Sequence, residues 1–347
     1  MINLKTDTLY SWRYDADGTA LNIPSEGAFN VFGGDPIAAF NQLIDQVYQS
    51  PIVTLWGDHL NANLEMFRPD NADGFYGTSD FFQDYRFSGS PDNDYILGYG
   101  DAFRANTGHG NDVVVFGYVT DAVDDPLVGG DRLVRAGKGN DLISSSTFED
   151  NRIFGQQGND VISVSGANNF VKGGRGQDVI IAEGIFDDSV SVLKGGRGSD
   201  DIIAVGQGSA VLNGGRGNDT LLSTVENSVF KGGRGHDQII MDGHINTATG
   251  GRGADQFVFT FTDDADRITT ITDFQVGVDE LAISNDFYNR FDVSNTIYGN
   301  VDDPVIGAGD MIVTTDNYGT VIFQNLSIED QIAVAQYVGS EFDFIGA

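Results

Sequence analysis

From residue 107 onward the chain repeats a glycine turn that ends in aspartate. The clearest copies are GGRGQD at 173–178, GGRGSD at 195–200, GGRGND at 214–219, GGRGHD at 232–237 and GGRGAD at 250–255. Weaker copies, GSPDND, TGHGND, AGKGND and GQQGND, end at Asp94, Asp112, Asp141 and Asp160. Most steps between these aspartates are 18 or 19 residues. A glycine turn, an aspartate and an apolar triplet at that period describe one coil of a right-handed parallel β-roll: turn, short strand, turn, short strand. Side chains alternate along a strand, so the second residue after each aspartate should point inward. That position holds Ile96, Val114, Ile143, Ile162, Ile180, Ile202, Leu221, Ile239 and Phe257, all large and apolar. Two residues before the motifs stand Val134, Ile153, Val171, Leu193, Leu212 and Phe230, with Ala248 as the small exception. The spacing therefore predicts a mainly β fold with a thin core between two walls.

Composition narrows what such a roll can serve. Glycine supplies 46 of the 347 residues and proline only 7, which suits tight turns and not a proline-rich linker. Fifty-one acidic residues against 19 basic ones give a net charge of −32, which works against nucleic acid or anionic lipid as the main partner and favours divalent cations. The absence of cysteine removes disulfides, thiolate metal sites and cysteine nucleophiles. There is no HExxH, GxSxG, GxxxxGK[ST] or strand-borne GxGxxG, so no catalytic residue is assigned and the expectation is a non-enzymatic protein. The N-terminal stretch lacks the apolar core of a Sec-type signal, and the longest strongly apolar stretch, Val113 to Phe116, is too short to span a membrane.

The repeat also specifies chemistry. Coils of a parallel roll stack about 4.8 Å apart. Aspartates in one column then repel by about 1 kcal/mol per neighbouring pair even in water, and more when desolvated. The column needs a cation. Glycine turns direct backbone carbonyls toward the gaps between coils, and carboxylate plus carbonyl oxygen is the ligand set of Ca²⁺. The candidate metal-binding residues are Asp112; Gly137, Gly139 and Asp141; Gly155, Gly158 and Asp160; Gly173, Gly174, Gly176 and Asp178; Gly195, Gly196, Gly198 and Asp200; Gly214, Gly215, Gly217 and Asp219; Gly232, Gly233, Gly235 and Asp237; and Gly250, Gly251, Gly253 and Asp255. The run of aspartates from 141 to 255 leaves about six gaps for Ca²⁺, with GQQGND and AGKGND as weaker turns. The opposite turns, VSGANNFV, VGQGSAVL, TVENSVF and GHINTAT, carry no Gly-x-Asp, so calcium is expected on one edge and the other edge should close by its own hydrogen bonds.

The motif GGxGxD followed by x-apolar-x resembles the calcium-binding nonapeptide of RTX (repeats-in-toxin) proteins. The runs GGRGADQFVF at 250–259 and ITDFQVGVDELAIS at 271–284 look like the segment that closes the roll of serralysin-type secreted proteases. The resemblance spans about residues 86–347 and implies Ca²⁺ binding, a Gram-negative source and export through a type I secretion channel guided by the C-terminal end. The one-edged pattern departs from the family, whose rolls usually carry the nonapeptide on both edges. A second departure is a basic ladder at Arg175, Arg197, Arg216, Arg234 and Arg252, with Lys138 before it and Lys172, Lys194 and Lys231 beside it. It reads either as a strip for acidic polysaccharide, lipopolysaccharide or another copy's acidic face, or as local neutralisation of the carboxylates.

The expected organisation is an α+β or capping module at 1–85, the roll at 86–260, and a C-terminal cap with secretion signal at 261–347. The first region carries an amphipathic helix starting at Asp35-Pro36 and a polar pair, Asp58 and His59, read as a turn. A 29-residue step from Asp112 to Asp141 marks an insertion read as a tolerated bulge, and 309–326 reads as a hairpin turning at Asp316 to Gly319. The tail EFDFIGA, with Asp343, Phe344 and Ile345, is similar to the ends that type I exporters read. These features predict a secreted, calcium-dependent structural protein of a surface layer, biofilm matrix or adhesion system that folds and self-associates with Ca²⁺. The rival expectation is a polysaccharide-binding or polysaccharide-modifying module that uses the arginine ladder.

Overall fold

The structure is a computed structural model and describes residues 74–77, 84–89, 91, 93–99, 102–117, 132–146, 150–185, 189–260, 266–284, 310–315 and 319–334. The helix from Asp35, the Asp58–His59 pair, most of the insertion after Asp112 and the tail at 343–345 lie outside the described residues. The chain divides into two compact units, Met1–Glu183 and Gly184–Ala347.

In the first unit, strands alternate between two parallel sheets. One sheet takes Gly74–Gly77, Asp94–Tyr99, Val113–Gly117, Leu142–Ser146, Val161–Ser165 and the strand beginning at Val179, in chain order. The other takes Asp84–Ser88, Ala102–His109, Arg132–Lys138, Asn151–Gln157 and Phe170–Arg175. Each coil thus gives one strand to each sheet, as the repeat predicts. Register follows the apolar columns: Ile96 pairs with Val114, Val114 with Ile143, Ile143 with Ile162 and Ile162 with Ile180. Opposite them, Val134 pairs with Ile153 and Ile153 with Val171. All eight side chains are fully buried. Each such Ile or Val stabilises the fold by about 1.5–3 kcal/mol through burial.

The second unit repeats the arrangement. Asp201–Gly206, Thr220–Ser223, Gln238–Met241, Gln256–Thr260 and Glu280–Ser284 form one parallel sheet. Val190–Arg197, Ser209–Arg216, Asn227–Arg234, Ile245–Arg252, Ile268–Ile271 and Gly319–Phe323 form the other. The two columns run Ile202, Leu221, Ile239, Phe257 and Leu193, Leu212, Phe230, Ala248, again fully buried. At the C-terminal side, Phe274 packs 6.0 Å from Phe257 and 5.5 Å from Phe323, ring centre to ring centre, and covers the end of this core. The expected hairpin forms, with Met311–Thr315 antiparallel to Gly319–Phe323. Among the described residues the one α-helix is a short one at 328–334.

The edge opposite the aspartate column closes by side-chain hydrogen bonds, as its composition predicts. In the first unit, Asn151 donates to Asn169 Oδ1 (2.7 Å) and accepts from Ser145, while Asn169 donates to the Gly166 carbonyl (2.8 Å). In the second unit, Ser228 bonds Ser223 (2.7 Å) and Asn246 donates to the Gly243 carbonyl (2.8 Å). Asn151, Asn169, Ser228 and Asn246 are buried, and these bonds give their side chains partners in the core, with Asn246 Oδ1 the acceptor among them left unmet.

Candidate metal centre

Every aspartate of the repeat stands at the mouth of a strand, and its backbone N–H is what orders the column. In the first unit the N–H of Asp94 donates to Asp112 Oδ1 (2.9 Å), Asp112 to Asp141 (2.8 Å), Asp141 to Asp160 (3.0 Å) and Asp160 to Asp178 (2.9 Å). In the second unit Asp200 donates to Asp219, Asp219 to Asp237 and Asp237 to Asp255, each at 2.9 Å. One carboxylate oxygen per coil is thereby committed to the preceding coil. The other is not. Oδ2 of Asp141, Asp160, Asp219, Asp237 and Asp255 is buried and has no hydrogen-bond partner. An ionised oxygen sealed away in that state costs several kcal/mol unless a cation or proton meets it.

The space around these oxygens is made of glycine. A Cβ on Gly214 would lie 2.3 Å from Asp219 Oδ2, and one on Gly155, Gly173, Gly195, Gly232 or Gly250 would come within 2.2–2.5 Å of the aspartate of its own turn. The second and third glycines of the motifs take positive φ. At Gly217, with φ of 127°, a Cβ would meet the Gly198 carbonyl oxygen at 1.9 Å, so backbone carbonyls of successive coils crowd this edge. Two turns differ. The first-glycine place is Ala136 before Asp141 and Thr107 before Asp112, both fully buried, and the Thr107 hydroxyl bonds the Ala136 carbonyl.

Burial raises the carboxyl groups far above their ordinary range, and the neighbouring carboxylates of the column add to it. Asp141, Asp160, Asp178 and Asp219 are pushed up to about 8, Asp112 to about 7 and Asp237 to about 6. The hydrogen bonds from backbone N–H groups oppose the rise without cancelling it. A divalent cation between coils would reverse the balance by supplying the missing opposite charge.

Among the described residues no group of three or more His, Cys, Asp or Glu comes together as a metal cage. Each Gly-x-Asp turn of the repeat buries one carboxylate, so a cation here must draw most of its ligands from backbone carbonyls. That donor set is hard oxygen throughout, which suits Ca²⁺ and excludes the nitrogen and sulfur ligation of zinc. The residues fit a calcium ion on their chemistry.

The sequence reading missed three residues of this edge. Asp279 continues the column, accepting the N–H of Asp255 (3.0 Å) and of Gln275 (2.7 Å). Asp273 accepts the N–H groups of Gly250 and Gly251, both at 2.9 Å. Phe274 stands five residues before Asp279, in the first-glycine place. The signal was present as Gly277-Val278-Asp279, which keeps the Gly-x-Asp spacing and the positive φ at glycine (78°).

Beside the column, the basic residues face solvent. Arg197, Arg216, Arg234 and Arg252 stack in register through the second unit, all exposed. In the first unit Arg175 pairs with Gln157 and Gln157 with Lys138, so the ladder is broken there.

The profile of the RTX calcium-binding nonapeptide repeat matches the chain in 4 copies, over residues 145–180 and 213–240. No curated protein and no solved structure matches it.

Proposed function

Since the chain is an RTX β-roll protein, whose repeats bind Ca²⁺, we propose that it is a non-enzymatic extracellular protein in which Ca²⁺ drives folding and then association of copies into a surface layer or matrix. RTX repeat proteins are generally secreted by Gram-negative bacteria, and no described helix is long and apolar enough to cross a membrane. In this reading the chain leaves the cell unfolded through a type I channel and folds where calcium is plentiful. The ligands are the Asp141 to Asp255 carboxylates and the glycine carbonyls of their turns, with about six ions on one edge. The residues before Gly74 act as a capping module, the coils whose strands run from Gly74 to Ser284 as the roll, and the residues after them as a cap that also carries the export signal.

The observation that carries the proposal is the buried Oδ2 left without a partner in coil after coil. Stacked coils with these oxygens ionised and no cation are unstable, so folding and metal loading become one event. The experiment is circular dichroism with light scattering across a calcium titration, starting from chelator. β-structure appearing with calcium, together with a mass above the monomer, is the expected result. Full β-structure in chelator at neutral pH would refute calcium-driven folding, and a monomeric mass in the folded state would refute the assembly role.

A further inference from the structure

Among the described residues the arginine file of the second unit is a regular charged feature that calcium-driven folding does not use. Arg197 pairs with Arg216, Arg216 with Arg234 and Arg234 with Arg252, and each side chain is exposed. Neighbouring parallel strands lie about 4.8 Å apart, so four guanidinium groups stand in a row about 14 Å long. Like charges at that spacing repel by about 1 kcal/mol per pair even in water. Ion pairs with the chain's own carboxylates would relieve this. Among the described residues the guanidinium groups of these four arginines make no ion pair and no hydrogen bond, and the aspartates beside them are turned inward and buried.

We propose that this file binds a linear acidic polysaccharide whose anionic group recurs once per sugar ring, near the coil spacing, one guanidinium to each carboxylate or sulfate. The guanidinium's planar fork suits bidentate capture of such groups, which a lysine ladder would not offer. Periodicity selects the partner. Among the described residues a second copy offers no matching acidic file at the position after the aspartate, which reads Asp201, Thr220, Gln238, Gln256 and Glu280 down one sheet, never acidic in two consecutive coils. Duplex nucleic acid places its phosphates about 3.4 Å apart along each strand, out of step with the rungs after one or two coils. Exposed Lys231 widens the strip on one side. The inference goes beyond calcium-driven folding and requires only that the coils be stacked.

The test uses the full chain at saturating calcium, with circular dichroism recording that the coils have formed, so that a failure to fold is told apart from a failure to bind. Polyuronate oligomers of increasing length, a neutral glucan and a single-stranded oligonucleotide of matched charge are titrated by calorimetry. Affinity should rise with each added uronate up to about four rings, the number of rungs, and then level off. The neutral glucan should not bind. The double variant Arg216→Gln with Arg234→Gln should bind about tenfold more weakly or worse, with an unchanged dichroism spectrum. The matching Lys variants should keep part of the affinity. Undiminished binding by the Gln variant, an oligonucleotide bound as tightly as the matched uronate, or a folded wild-type chain that ignores uronates would each overturn the proposal. Should the Gln variant not fold, the length series on the wild-type protein decides alone.

Discussion

Gln156 occupies the place that a glycine fills in the clear motifs, and it holds φ at 82°. A side chain in that region costs about 1–2 kcal/mol, so Gln156→Gly should raise the stability of the calcium-loaded protein by about 1 kcal/mol, read from denaturant unfolding. Asp219 offers a sharper test of the column. Asp219→Asn keeps an oxygen for the Asp200 N–H but removes the charge that burial penalises. The variant should therefore be more folded than wild type in chelator, yet need more calcium and show lower cooperativity in titration. A variant less folded in chelator with unchanged calcium demand would contradict the cation site. At this scale the sequence was informative wherever the motif was intact, because the inward Ile202, Leu221 and Ile239 are fixed by strand alternation alone. It was silent on Arg267, buried at 3 % exposure, which pairs with Asp242 at 3.2 Å and donates to the Asp242 carbonyl, since a single basic residue just before a strand carries no periodic signal.

Elements show the same division between repeated and unrepeated information. Strands that follow a Gly-x-Asp turn were legible because every coil states the same rule. The coil formed by Ile268–Ile271 and Glu280–Ser284 obeys it with different residues: Asp273 stands in for ligating turn chemistry by holding the Gly250 and Gly251 N–H groups, and Phe274 replaces a glycine. Once Phe274 fills that place, the turn has no glycine-lined chamber and serves as a lid on the core instead. Phe274→Ala should cost about 3–5 kcal/mol, the range for an aromatic lost from a core, while leaving the calcium midpoint of the inner turns nearly unchanged. Thermal unfolding in excess calcium, set against the titration, separates the two effects.

For the whole molecule the consequence is an inverted dependence on pH. Carboxyls that titrate near 8 in the fold and near 3.8 when exposed hold protons in the folded state at pH values where the unfolded chain has lost them. Their contribution to stability is complete below about pH 4 and is lost as pH rises through the folded values. Without calcium, acidification from pH 8 to 5 should increase β-structure, as measured by circular dichroism. With calcium the order reverses, because protons and the cation compete for the same oxygens, and the calcium midpoint should climb as pH falls. A calcium-free chain that loses structure on acidification would show that the carboxylates are not held as described.

The bonds from each aspartate N–H to the carboxylate of the following coil all point one way along the chain. The roll therefore has a grain. The carboxylate acceptor always comes from the C-terminal side, while in return each coil offers its aspartate carbonyl and the neighbouring Asn or Ser side chain to N–H groups of the coil that follows. Within the carboxylate column damage should therefore be asymmetric: loss of Asp279 takes the acceptor from the Asp255 N–H, while loss of the Asp94 side chain leaves every later aspartate N–H its carboxylate.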